Sequence, residues 1–252
     1  LPPEQISYII NHAKDQYLFV DLNLFEIVEK LGGQLKTLKG IVVMTNHNHM
    51  PDVTELDKIV PVHCYETLIA KQSDKIEWPE FDENTASSLC YTSGTTDSPK
   101  GVLYSHRSTL LHAYAAQMKD GISLGAIDCV LPVVPMFHVN AWGIPYVAPL
   151  VGCKLVLPGI DLDGASVQQL IEQEGVTFSA GVPTVWLGLL KYLEDSGKSI
   201  ETLERVVIGG SATPRSMTQV FAEKHDANVL HAWGMTEMSP IGTFNHPKYH
   251  MR

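Results

Sequence analysis

Cysteine pairs are missing from this 252-residue chain: Cys64, Cys90, Cys129 and Cys153 form no CxxC motif. That excludes a zinc knuckle and a thioredoxin-type redox centre. A chain of this length buries its own core without staples, so the four thiols read as buried and reduced. Charge is scarce too, at 18% of residues against a typical ~25%, which argues against disorder. Basic residues are outnumbered 18 to 28, for a net charge of −10. The chain therefore lacks the positive surface that nucleic acid or an anionic membrane requires. The opening Leu1-Pro2-Pro3-Glu4 has neither the basic flank nor the apolar run of a signal peptide, and it is the four reduced thiols that set the expectation of a cytoplasmic chain. Between Cys129 and Cys153 no formally charged residue occurs, a stretch long enough to span a bilayer. Pro132, Pro135, Pro145 and Pro149 interrupt it. A lone span cannot replace the backbone bonds they remove, so the stretch reads as buried interior or a pocket wall.

What is present is alternation. Apolar residues at helical spacing over 3–14 (Ile6, Ile9, Ile10, Ala13) precede a strand over 17–20. A helix over 24–31 stops at Gly32-Gly33, and the run GIVVMT over 40–45 is continuous enough for a strand covered on both faces. A polar loop with His47, His49 and Asp52 follows, then a helix around 63–71 and an acidic connector over 73–85. Strands over 86–91 and 102–104 flank a Ser/Thr/Gly loop, and Ser105 is placed to cap the next helix. Later strands fall near 127–131, 154–157, 176–180, 205–208 and 228–232. Helices over 165–174 and 183–194 separate them, and Thr213 with Pro214 supplies an N-cap and N1 proline for a helix through Lys224. Such alternation predicts an α/β protein with mostly parallel sheets, whose ligands sit beyond the carboxyl ends of strands. The loops after Tyr91, Ile208 and Ala232 are the places to seek chemistry.

The first of these reads Tyr91-Thr92-Ser93-Gly94-Thr95-Thr96-Asp97-Ser98-Pro99-Lys100-Gly101. Its hydroxyls, glycines and lysine offer donors and one cation, a set suited to a polyphosphate. It is not a Walker A loop, because Pro99 occupies the second glycine position and Gly101 follows the lysine. Gly209-Gly210-Ser211-Ala212-Thr213-Pro214 allows the backbone to approach a flat group closely. Trp233-Gly234-Met235-Thr236-Glu237 sets a hydroxyl beside a carboxylate, the latter a ligand type for a hard cation.

Taken in order, and with Met136-Phe137-His138-Val139-Asn140-Ala141-Trp142-Gly143 between the first and second, these segments resemble the adenylate-forming superfamily. That superfamily includes acyl-CoA synthetases, peptide-synthetase adenylation domains and luciferases. Trp233, the 136–143 string and the run KGVLYSHRS over 100–108 resemble the fatty-acyl-CoA synthetase branch more narrowly. The resemblance implies two stacked αβ subdomains, one over 1–124 with the phosphate loop and one over 125–252 with the acyl-pocket, adenine and magnesium segments. It implies that Thr92, Ser93, Gly94, Thr95, Thr96 and Lys100 wrap the phosphates of ATP. Gly210, Ser211, Ala212 and Thr213 would border adenine and the acyl group, and Trp233 would stack near adenine. Thr236 would touch the α-phosphate, Glu237 would bind Mg2+, and His138 would sit by the substrate carboxylate. Trp142 and Gly143 would line the acyl pocket. The implied catalytic set is Lys100, His138, Thr236 and Glu237, and the implied partners are an apolar carboxylic acid, ATP and coenzyme A. A homo-oligomer is left open.

Two departures from the family pattern carry expectations of their own. Asp97 stands where the family has glycine, adding a carboxylate to an anion-binding loop. The family's ribose-binding Tyr-x-Thr-Gly-Asp segment, its hinge and its mobile C-terminal domain do not occur in the 252 residues. The chain is therefore expected to be a central piece of a longer synthetase, one that binds nucleotide without completing efficient thioester formation. The alternative from another class is a non-catalytic nucleotide-binding or scaffold module of the same fold.

Overall fold

The computed structural model describes residues 1–92, 99–246 and 248. They divide into two units, Leu1–Phe81 with Tyr91–Gly101, and Asp82–Cys90 with Val102–Arg252. In the first unit, α1 (Pro3–Ala13) and α2 (Phe25–Leu31) accompany a parallel sheet of β1 (Tyr17–Val20), β2 (Gly40–Val43) and β3 (Val62–Cys64). The central strand is β2, and all of its residues are buried, as its unbroken apolar run requires. Two short helices, α3 (Thr54–Asp57) and α4 (Tyr65–Ile69), complete the unit. The residues expected as helix around 63–71 are thus strand first and helix second. Gly32 closes α2 without entering the left-handed region (φ −41°), and a 3-10 turn over Gly32–Gln34 follows. Leu56 packs where a Gly32 side chain would stand.

A two-stranded sheet joins β4 (Ala86–Thr92) to β5 (Lys100–Ser105). Ser105 then caps α5 (His106–Ala116) in a reciprocal box with Ser108. The second unit is built on a six-stranded sheet ordered β11-β10-β9-β8-β6-β7. Its strands are β6 (Cys129–Pro132), β7 (Lys154–Leu155), β8 (Phe178–Gly181), β9 (Arg205–Ile208), β10 (Asn228–Gly234) and β11 (Ile241–Phe244). Every pairing is parallel except β10 with β11.

Alternation of period two sorts the strand side chains into two cores. Val130, Phe178, Val207 and Leu230 join Ala113 and Ala116 of α5 and the apolar residues of α7 (Ile144–Val151). Leu131, Val206, Ile208 and Val229 face α8 (Gly164–Glu174), α9 (Pro183–Ser196) and α10 (Arg215–His225), with Trp186 and Phe221 packed edge to face. Because α5 buries its face among residues of the large sheet, 102–124 belongs to the second unit. The division expected at residue 124 is not where the units part.

The proline-rich stretch is only partly interior: 129–134 and 141–144 are buried, but Met136 and Phe137 are exposed, and 144–151 is helical, with Pro145 in the first turn and Pro149 inside. No helix among the described residues is long and apolar enough to cross a membrane. All four cysteines are free thiols.

The candidate adenylate site

Three segments leave the same rim of the six-stranded sheet: one after β6, one after β9, and the end of β10 with the 3-10 turn Thr236–Met238. Together they line a cavity of about 210 Å³ whose walls include His138, Trp142, Gly210, Trp233 and Thr236. Trp142 is buried, whereas His138 and Trp233 are exposed at its margin.

After β6 the chain enters α6 (Val139–Trp142), a single turn wound the wrong way for L-residues. Val139, Asn140, Ala141 and Trp142 have φ of 45°, 55°, 46° and 56°, and Gly143 follows at 82°. Left-handed backbone costs about 1–2 kcal/mol per non-glycine residue, and a β-branched residue such as Val139 is an outlier there. The surroundings hold it in place. Asn140 Nδ2 donates to Ser88 Oγ of β4 at 3.0 Å, and the Cys90 thiol donates to Asn140 Oδ1 at 3.9 Å. A side chain on Gly143 would fall 2.8 Å from Nδ1 of His112, and one on Gly209 would fall 3.1 Å from the Trp142 ring. The flat group lying against Gly209 is therefore the chain's own indole. Gly210 (φ 81°) supplies the turn that carries the chain away.

β10 continues through Trp233 and Gly234, two residues beyond the expected end of the strand, and pairs with β11 across a bulge. A side chain on Gly234 would fall 2.3 Å from the Pro240 carbonyl oxygen, whose partner is the Met235 N–H at 2.9 Å. The Thr236 carbonyl accepts a hydrogen bond from the hydroxyl of Tyr104 on β5. Burial pushes the Tyr104 phenol well above its usual range, helped by Cys90 and Glu237, so it remains a donor at neutral pH. Removing this bond in Tyr104→Phe is expected to cost about 0.5–1.5 kcal/mol of stability in urea unfolding. Nothing in the KGVLYS run marked Tyr104 for this task, because the bond closes between residues far apart in sequence.

The implied site residues are only partly brought together. Glu237 does not line the cavity; it faces a separate cleft of about 280 Å³ with Tyr104, Ser105, Ser108 and Ser239. That cleft offers one carboxylate among hydroxyls, an oxygen-only donor set of the kind Mg2+ accepts alongside phosphate oxygens and water. Ser211 and Ala212 are exposed and Thr213 half-buried, and none of the three lines the cavity. Thr213 does not cap α10 either. Pro214 is its N-cap, extended at ψ 135°, and the buried Thr213 hydroxyl has no partner among the described residues. Pro214 is itself extended, so the helix starts one position later than expected, at Arg215. Gly143 lies behind the turn, against His112, and not in the cavity. Thr92 ends β4 and exposed Lys100 begins β5; both are grouped with the first unit. Ser93, Gly94, Thr95 and Thr96, with Asp97, lie outside the described residues.

Comparison with known proteins agrees with this architecture. The family model "AMP-binding enzyme" matches residues 1–252. The chain is 52% identical to a 3-methylmercaptopropionyl-CoA ligase of Ruegeria lacuscaerulensis over 97% of its length and 45% of that protein's. It is 51% identical to a medium-chain-fatty-acid–CoA ligase of Ectopseudomonas oleovorans, covering 98% of this chain and 44% of the relative. A long-chain-fatty-acid–CoA ligase of Thermus thermophilus is 47% identical over 100% of this chain and 44% of its own. The chain thus spans less than half the length of these relatives. In fold, it matches the crystal structure of an anthranilate CoA ligase in complex with anthranoyl-AMP. The TM-score is 0.85 at 22% identity, over 98% of this chain and 46% of the other. A family match along the whole chain, joined to a cavity built where an α/β sheet binds its ligands, leaves one conclusion: this chain belongs to the AMP-binding enzyme family.

Proposed function

We propose that the protein carrying this chain is an ATP-dependent, AMP-forming acid–thiol ligase acting on an apolar carboxylic acid. The observation that supports this reading most is the convergence of His138, Val139 and Trp142 with 209–210 and 232–236 on one cavity. Two reaction steps follow. A carboxylate oxygen attacks the α-phosphorus of ATP and pyrophosphate leaves, giving an acyl-adenylate. The thiol sulfur of coenzyme A then attacks the acyl carbon and AMP leaves. Hydroxide is too poor a leaving group for direct thioester formation, and AMP removes that barrier.

The chain's contribution is placement and charge neutralisation. Lys100 with Thr92, Ser93, Gly94, Thr95 and Thr96 holds the phosphates, Thr236 donates to the α-phosphate, and His138 meets the carboxylate. Trp233 and Gly210 border adenine, with Ser211, Ala212 and Thr213 beyond, while Trp142 belongs to the acyl side and Gly143 supports it from behind the turn. Glu237 is the residue that would hold Mg2+, which when bound offsets phosphate charge. The named substrates of the relatives, fatty acids and 3-methylmercaptopropionate, support an apolar acyl chain for this protein too. Four free thiols and the acidic surface support a cytoplasmic setting.

Calorimetric titration with a ten-carbon acyl-adenylate mimic, its phosphate replaced by sulfamate, tests the reading on this chain directly. Saturable one-to-one binding is expected, weakened about 10- to 100-fold by Lys100→Ala and by Glu237→Ala, the worth of a charge-assisted contact. No binding by the folded wild-type chain would overturn it. Carboxylate-dependent exchange of pyrophosphate into ATP then separates the ligase from a nucleotide-binding module that performs no chemistry.

A further inference from the structure

We propose that Asn140 is a positioning residue of this site, its side-chain amide holding the left-handed turn 139–142 against β4 through Ser88. In this arrangement Trp142 and His138 keep their places on the cavity wall. The inference rests on the adenylate reading above for the identity of the ligand, but not for the geometry.

Three observations carry it. Positive-φ backbone at several successive non-glycine residues persists only where neighbours over-determine it, and such backbone gathers at functional sites. Asn140 is the residue of the four best suited to that conformation, and both ends of its amide are engaged: Nδ2 donates to Ser88 Oγ and Oδ1 accepts from the Cys90 thiol. The amide is thus held at both ends by two residues of one strand, Ser88 and Cys90 of β4. Finally, the residues flanking Asn140 are the ones that reach the cavity: His138, Val139 and Trp142 all line it, while Asn140 itself points away to the strand behind. An amide that touches no ligand but anchors three wall residues acts through them.

The strand doing the anchoring has a second consequence. Ser88 and Cys90 stand on β4, which runs on to Tyr91 and Thr92 and so into the Ser/Thr/Gly run. The Asn140 amide therefore ties the segment that shapes one wall of the cavity to the strand that leads into the phosphate loop. The wall it supports carries His138 and Trp142, assigned above to the carboxylate and the acyl chain, so loss of the tie should be felt by the acyl portion of a ligand rather than by its nucleotide.

The test compares two probes, AMP and the ten-carbon acyl-adenylate mimic, titrated into the wild-type chain and into Ser88→Ala, Ser88→Thr, Asn140→Ala and the Ser88→Ala/Asn140→Ala double variant. Ser88→Ala and Asn140→Ala are each expected to weaken the acyl mimic by about tenfold, since each leaves a half-buried partner without its hydrogen bond. Their AMP affinity should stay within about twofold, and Ser88→Thr, which keeps the hydroxyl, should bind the mimic like wild type. The double variant should be no weaker than Asn140→Ala, because both changes break one bond. A purely structural role would lower AMP and mimic affinity together, and that parallel loss would overturn the proposal. So would additive effects in the double variant, or unchanged mimic binding by Ser88→Ala. Should Asn140→Ala fail to fold, the Ser88→Ala and Ser88→Thr pair decides alone. Wild type failing to bind the mimic at all would count against the adenylate reading and not against the turn. In that case the near-ultraviolet circular dichroism of Trp142 decides: Ser88→Ala should alter the tryptophan band and Ser88→Thr should not, and an unaltered band would overturn the proposal.

Discussion

Replacing Arg205 with methionine is expected to lower the unfolding free energy by about 3–5 kcal/mol, the cost of stranding a buried charge. Arg205 sits at the start of β9, opposite the rim that forms the cavity. Its Nη2 donates to Asp128 Oδ1 at 2.6 Å, and its Nη1 donates to the carbonyls of Ile122 and Ser123, both at 2.9 Å. The guanidinium also lies over the Phe178 ring, 5.5 Å from its centroid. The two charged side chains are only 20% and 9% exposed, so solvent screening does not rescue the abandoned carboxylate. Burial raises the Asp128 carboxyl, but the Thr177 hydroxyl, the Gly125 N–H and Arg205 together outweigh it and hold it below its usual 3.8. A carboxylate depressed in the folded state stabilises above its unfolded pKa, near pH ~3.9, and that contribution disappears as pH falls below it. Urea unfolding at neutral pH would read the loss directly. A double change to Arg205→Met and Asp128→Leu should recover part of it, because packed apolar side chains replace a buried ion pair at little net cost. An Arg205→Met midpoint equal to wild type would show that the pair is wetter than its geometry indicates.

Acidification should destabilise the protein well above the range where carboxylates titrate, and His112 is the reason. Its ring is buried on α5, and Nε2 accepts the N–H of Ile241 at 3.1 Å. The acceptor nitrogen carries no proton, so the imidazole is neutral with its hydrogen on Nδ1, beside Gly143. Protonation would bring two donors face to face in a site that burial already makes hostile to charge. Burial lowers the pKa from 6.5 to about 4. The sign follows from proton counts: between these values the unfolded chain binds the extra proton and the folded chain does not. Stability attributable to His112 is therefore complete above pH 6.5 and drains as pH falls toward 4. The total is of order 3 kcal/mol, at 1.36 kcal/mol per unit. His225, lowered by burial and by Lys224, adds to the same loss. Midpoints of urea unfolding at pH 7, 5.5 and 4.5 would show it, and His112→Gln, which keeps an acceptor but cannot titrate, should flatten the decline. A variant whose midpoint falls with pH as steeply as wild type would remove His112 from the account.

How much of this could be read in the residues differs by level. Strand and helix order was legible because it rests on local periodicity: the apolar run that begins at Gly40 and is buried through Val43, the glycine stop after α2, the Ser105 cap. Each is settled within a few residues. The family followed from four ordered segments, and the cavity does gather parts of three of them. What escaped was non-local or against propensity. α7 contains Pro149 yet persists, since its apolar face packs into the core of the large unit and burial outweighs the lost bond. The strand β3 hid inside an expected helix because three residues carry too little pattern. Thr213 looked like a cap, but Pro214 is itself extended and the helix starts at Arg215. Gly209 looked like room for a ligand; it does line the cavity, but its face also takes the Trp142 ring. The handedness of 139–142 leaves almost no trace in composition, apart from Asn140 and Gly143, which tolerate it; its cause lies in Ser88, Cys90, His112 and Gly209, all remote in sequence. Tyr104 and Arg205 belong to the same class, side chains whose purpose is a partner met only after folding.

The distribution of indoles has an optical consequence. The chain carries four tryptophans, and two of them, Trp142 and Trp233, stand on the wall of the cavity. Trp186 is sealed in the core and Trp78 is 83% exposed. These surroundings separate the emitters by colour: Trp186 at the blue end, Trp78 at the red end, and the cavity pair between them. A solute that quenches by collision reaches Trp78 and leaves Trp186 untouched. What then changes when a ligand enters is the light from Trp142 and Trp233, so the protein reports occupancy of its own site without a label, against an internal standard that the ligand does not reach.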